Sequence, residues 1–301
     1  MTPPGPFGTP SRLTVAVLAA VAVIAVALLG GGTAQTGTGE LRIPAAGTTA
    51  LLRLLVLTGL AVHVGELAGH RLARPGPRPR PWSAPAALLA AAASAGLLLL
   101  FAAVSGLGTT AYGLREGRLL LVTANAFVLA ALCAASRHPA LAALPLALAV
   151  GAEAMRAHPE AYQPLVGTGL TVVHLTAASL WAGTLLYVLR TMRLRGGGRD
   201  VLARYARMAA WVYAALAVTG TVSTPRKPPL DAVLGTAYGR VLLVKPPLFG
   251  GASLLALAAR GRMPSGGNAQ TPARVEVSVL AAVVVVSALL TVVPDPGGIG
   301  P

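Results

Sequence analysis

Residues 171–190, TVVHLTAASLWAGTLLYVLR, carry no charge until Arg190, yet hold His174 and Trp181 seven residues apart. Seven residues is about two helical turns, so both side chains fall on one face of a helix. About 18 consecutive apolar residues suffice to span a bilayer, and this run meets that length. It reads as a membrane helix with a polar face. One reading of that face is a satisfied core histidine beside a packing tryptophan; the other is a functional site.

The rest of the chain extends the first part of that reading. Of 301 residues, 55% are hydrophobic and only 11% are charged, and the mean hydropathy is +0.71. A soluble domain of this size is excluded, and a polytopic all-α membrane bundle is expected. Nine apolar runs stand out, roughly 13–30, 49–69, 84–105, 118–136, 139–156, 167–189, 205–223, 238–259 and 275–293. The first has Arg12 before a small-residue stretch, as a signal peptide has. Its length and the lack of an A-x-A site favour a retained helix. Tails 1–12 and 297–301, rich in Pro and Gly, read as disordered. Residues 13–150 form an N-terminal membrane half and 151–296 a second one.

The formal net charge of +15 does not indicate nucleic acid, because the arginines sit in short loops between apolar runs. Arg12, Arg71, Arg74, Arg78, Arg80, Arg137, Arg190, Arg193, Arg195, Arg199, Arg204, Arg207, Arg260, Arg262 and Arg274 share one side, fifteen of the 24 Lys and Arg. The positive-inside rule then predicts a cytoplasmic N-terminus and an outer C-terminus. An echo suggests internal repetition. TAYG occurs at 110–113 and at 236–239, followed by GRLLLV (117–122) and GRVLLV (239–244); VH occurs at 62–63 and 173–174. Spans two to five repeating as six to nine would make a parallel 4+4 arrangement.

Ionisable residues within membrane spans are costly and are functional candidates by default. These are Arg53, His63, Glu66, Glu153, His174, Lys245 and Glu276. On the predicted topology Glu153 and Met155 lie near the outer face, His158 in the loop beyond, and His174 about two turns in. Imidazole and thioether donors together suit copper, above all soft Cu(I). The competing reading is a loop histidine, a core histidine and a packing methionine. His63 and Glu66, at i and i+3, read first as a local pair that neutralises Glu66, and second as an inner relay for a proton or metal. Glu276 is expected to pair with nearby arginines. Ser179 and Gly183 form a small-xxx-small pair suited to close helix packing. Pro246 and Pro247, directly after Lys245, are expected to kink or break their helix. Cys133 is the only cysteine, which rules out an intramolecular disulfide and a thiolate metal cluster. There is no P-loop and no nucleophile–base set, so neither a nucleotide motor nor an enzyme is expected.

Several segments resemble the copper-resistance protein D family of bacterial inner-membrane proteins. They are H-x6-W-x-G (His174, Trp181, Gly183), RYARMAAWVYAALAVTG (204–220), TAYGRVLLVK (236–245, with Tyr238 and Lys245), ARGRMP (259–264) and the last span 274–296 with Glu276. Around His158 the context is RAHPEA where relatives carry GHA, and KPP replaces the aliphatics that follow the family lysine. The resemblance implies copper-ion transport or tolerance at the plasma membrane, with uptake the expected direction and a periplasmic copper-binding protein as partner. It makes His174 a candidate copper ligand framed by Trp181 and Gly183. Two other functions stay open. One is a b-type haem or quinone-linked redox protein using His63 and His174. The other is an accessory subunit for copper delivery to oxidases.

Overall fold

The computed structural model describes residues 12–74, 76–157, 164–195, 198–223, 235–262 and 270–294. Among them are nine helices long and apolar enough to cross a membrane, and no strand. In chain order they are α1 (Arg12–Gln35), α2 (Ala46–Leu72), α3 (Ser83–Ser105), α4 (Arg115–Ala135), α5 (Ala143–Ala157), α6 (Pro164–Arg195), α7 (Arg199–Ser223), α8 (Ala237–Arg262) and α9 (Gln270–Leu290). Each matches a run read from hydropathy to within a few residues. The largest excess is at α6, whose helix continues past Arg190 to Arg195. Long basic side chains there can reach polar surroundings while the helix carries on. Of the tails, 1–11 and 297–301 lie outside the described residues, and Arg12 begins α1.

The chain is a multi-pass membrane bundle organised around α2. Its buried face runs from Ala50 through Gly69, and it packs against α1, α3, α6 and α9. Where it meets α3, a Cβ on Gly59 would sit 2.6 Å from the Ala86 carbonyl oxygen. Where it meets α6, a Cβ on Gly65 would sit 2.0 Å from the Gly183 carbonyl carbon, and one on Gly183 would sit 1.7 Å from the Ala61 oxygen. Backbone touches backbone at both crossings, which only a missing side chain allows. The small residue expected at 183 is therefore used for helix approach. Gly65 faces Gly183 and Gly69 faces Tyr187, so α2 and α6 run parallel, as a four-helix offset requires.

Leu88, Leu99, Leu132, Leu144, Leu148, Trp211 and Leu254 are exposed on the outside of the bundle, the surface a bilayer would cover. Of the kink or break expected in α8, the break does not occur. α8 runs as a single helix with Pro246 and Pro247 inside it. The prolines remove the donors for the Leu242 and Leu243 carbonyls, but the flanking turns keep theirs and the helix does not break.

The two ends of the bundle differ. At one end, Arg190 bonds the Arg80 carbonyl, Arg195 bonds the Ala73 and Pro77 carbonyls, and Arg204 bonds the Arg74 carbonyl at 3.0 Å. This arginine-rich end is thus tied together through loop carbonyls. At the other end, Arg240 reaches the Thr36 carbonyl at 2.7 Å, and the Ala237 amide reaches Glu40 at 3.0 Å.

Candidate functional site

His174 lies in the half of α6 away from the arginine-rich end. Its Nδ1 is 3.0 Å from Thr219 Oγ1 on α7. The Thr219 hydroxyl is 2.8 Å from the Ala215 carbonyl oxygen, which can only accept. The hydroxyl proton can serve Ala215 or His174, so the Nδ1–Thr219 contact fits either tautomer of the ring. In the tautomer that donates through Nδ1, the ring lone pair is on Nε2. Fixing one ring nitrogen with a hydrogen bond so that the other carries the lone pair is how proteins prepare a metal-binding histidine.

The other outer-end candidates are placed differently. Glu153 is 3% exposed and is held by two guanidinium groups, Arg53 from α2 and Arg156 at 2.9 Å. Arg156 also bonds Glu116 on α4, with its Nε at 2.9 Å. Two arginines and two glutamates form a neutral, largely buried network that ties α2, α4 and α5. Met155 is 41% exposed at the end of α5, and its carbonyl takes a 3.0 Å bond from Arg115. His158 lies outside the described residues. Among the described residues, no group of three or more His, Cys, Asp or Glu side chains converges. Arg53, read from sequence only as an ionisable span residue, turns out to be the main counter-charge of Glu153.

At the opposite end Glu66 does not pair with His63. Its carboxylate accepts the Trp82 amide at 2.8 and 3.0 Å and the Ser83 amide at 2.9 Å, which caps the N-terminus of α3. Arg190 closes the charge at 2.7 Å and lies 3.6 Å over the Trp82 ring. The amides at a helix start carry partial positive charge, so a carboxylate prefers them to a neutral imidazole. His63 is fully buried, and neither ring nitrogen has a hydrogen-bond partner. The α2–α6 register brings Gly65 to Gly183, so His174 is level with Val56. His63 then lies seven residues further along, about 10 Å, which does not suit two axial ligands of one haem.

Trp181 answers the opening question about its own half of the polar face. It is 2% exposed, and its indole Nε1–H donates to Glu276 Oε1 at 2.7 Å. Tyr205 O–H approaches the same oxygen at 3.3 Å. Glu276 makes no ion pair among the described residues, contrary to the expected arginine pairing. Phe249 and Tyr213 meet the Trp181 ring edge-on, at centroid distances of 5.8 and 6.2 Å. A cleft of about 200 Å³ adjoins this cluster, bordered by Tyr205, Tyr213, Ser253, Arg260 and Glu276. Lys245 is half-buried and Tyr238 is 5% exposed, in the core formed with α1 and α9. Thr219 and Tyr205 lie in the family-like segment 204–220 but were not singled out as site residues, because neither is a charged group in a span. The available signal was a hydroxyl on the apolar face of α7.

Residues 199–293 match the family model of copper resistance protein D. No curated protein and no solved structure matches the chain. The matched stretch holds Thr219, Tyr205, Lys245 and Glu276, while His174 and Trp181 lie just before it.

Proposed function

We propose, from the match of residues 199–293 to the copper resistance protein D family model, that the chain carries copper ions inward across the bacterial plasma membrane. The N-terminus is then cytoplasmic and the C-terminus outside, because the arginine-rich loops mark the inner side. The observation that carries the reading is the 3.0 Å contact of His174 Nδ1 with Thr219 Oγ1, which orients an imidazole in the outer half of α6 as hydrogen-bonded metal-site histidines are oriented. Met155, exposed at the end of the preceding helix, and His158 are the further contacts we assign. Glu153, held by Arg53 and Arg156, serves by holding α5 in place.

The ion is cargo, not a resident cofactor, so a small and incomplete ligand set is appropriate: tight cages release slowly. A periplasmic copper-binding protein would supply the ion. The membrane potential, worth about 2.3 kcal/mol per charge per 100 mV, favours inward movement and replaces a nucleotide motor.

The test is copper content and Cu(I) affinity of the purified protein beside His174→Ala, with absorption spectra of both. Bound copper that falls in the variant supports the reading. Copper binding that is equal in both refutes His174 as a ligand, and a haem absorption band in the wild type would move the function to redox chemistry.

A further inference from the structure

Glu276 is the one buried carboxylate described above whose partners are all neutral. Glu153 has Arg53 and Arg156, and Glu66 has Arg190. Glu276 is 1% exposed and receives only the Trp181 indole at 2.7 Å and the Tyr205 phenol at 3.3 Å. Both donors point to Oε1. Oε2 takes no hydrogen bond from the described residues, and Glu276 borders the cleft. A charge buried in an apolar setting without a counter-ion is expensive, whereas a carboxyl that can gain a proton escapes that cost.

We infer that Glu276 is a proton-exchange site, reached through the cleft between α6, α7, α8 and α9 from the arginine-rich end. The cleft holds about 200 Å³, ample for several waters. It reaches Arg260 in the last turn of α8, and Ser253 and Tyr213 also border it. The step is simple: a proton passes between a cleft water and Oε2, and no other bond changes. Trp181 and Tyr205 hold Oε1 in both states, so the carboxyl does not have to turn when its charge changes.

The surroundings leave the assignment to Glu276. From α6 the cleft receives Trp181, which does not titrate; from α7, Tyr205 and Tyr213; from α8, Arg260. On α9 itself Arg274 is exposed and reaches Gln270 at 3.2 Å. α1 carries no titratable residue over 17–35. α2 also packs on α9, but its Arg53 and Glu66 are held in their own ion pairs. His63, also on α2, has no hydrogen bond to either ring nitrogen.

The test uses the full chain in lipid vesicles and no metal, so it can fail or succeed independently of the copper reading. Infrared difference spectra are recorded while buffer pH is varied. The expected result is a protonated-carboxyl band that changes with pH in the wild type and is lost in Glu276→Gln. The glutamine keeps an acceptor oxygen for Trp181. A titrating band that is the same in Glu276→Gln overturns the inference, as does a wild type with no titrating band. Should the glutamine variant not fold, wild-type tryptophan emission is followed against pH beside Trp181→Phe. A pH-dependent component that disappears in Trp181→Phe supports the site; emission that does not vary with pH overturns it.

Discussion

Gly183→Ala asks whether the α2–α6 contact sets the spacing of the bundle. The added Cβ would lie 1.7 Å from the Ala61 oxygen and 3.0 Å from Gly65 Cα, where real Cβ contacts fall below 3.0 Å essentially never. The helices must therefore separate locally by at least 1.3 Å, the gap between those limits. Backbone cannot swing aside as a long side chain can. Overpacking of this kind costs about 1–3 kcal/mol. The same separation pulls on the Glu66–Arg190 pair, 2.7 Å long and on the same two helices. A total near 3 kcal/mol lowers the melting midpoint by roughly 6–12 °C for a chain of this size. The assay is thermal unfolding of the detergent-purified protein, followed by far-ultraviolet circular dichroism. The control is Gly169→Ala on the same helix, where nothing lies within 4 Å of the new Cβ and the better helix former gains up to about 1 kcal/mol. If Gly183→Ala melts with Gly169→Ala, the close approach does not constrain the fold and the reasoning is wrong.

Four other substitutions separate architecture from metal handling. Thr219→Val removes the hydroxyl that contacts His174 Nδ1, and we expect a roughly 10–100-fold loss of copper affinity with little change in melting; unchanged affinity by titration would show that the hydroxyl does not orient the ring. Glu153→Ala strands Arg53, while Arg156 keeps Glu116, and should cost about 3–5 kcal/mol of stability, whereas Met155→Ala, at an exposed position, should leave melting unchanged. Arg190→Lys keeps the charge but loses the planar fork that serves Glu66, the Arg80 carbonyl and the Trp82 face together. About 1–2 kcal/mol of stability should go with it, and an unaltered melting curve would reduce the cluster to a simple charge pair.

The nine spans were readable because length and apolar composition set them, and both are local properties. The packing role of Gly183 was readable for a related reason: small residues at fixed spacing have few other uses in a membrane helix. Partner identities were not readable. Glu66 finds the Trp82 amide 16 residues away and Arg190 124 away, so the neighbour at i−3 loses to groups that only the fold brings near. Glu276 likewise meets Trp181 across 95 residues instead of the arginines close in sequence. Pro246 and Pro247 leave α8 unbroken for another reason. A helix in an apolar setting has no water to replace the bonds it would give up by breaking. His174 could be picked out as an imidazole in an apolar run, but its orientation depends on a threonine that carries no charge to mark it.

The glycine crossing of α2 and α6 has a mechanical consequence. With no side chains between the two backbones, neither helix can roll or slide without collision, so the pair behaves as one strut. Its two ends are fastened differently: Arg53 to Glu153 on α5 at one, Glu66 to Arg190 and the start of α3 at the other. α7 and α8 touch each other only lightly. A rearrangement that exposes first one end of the molecule and then the other has to pivot about this strut, with the seam beside α8 giving way.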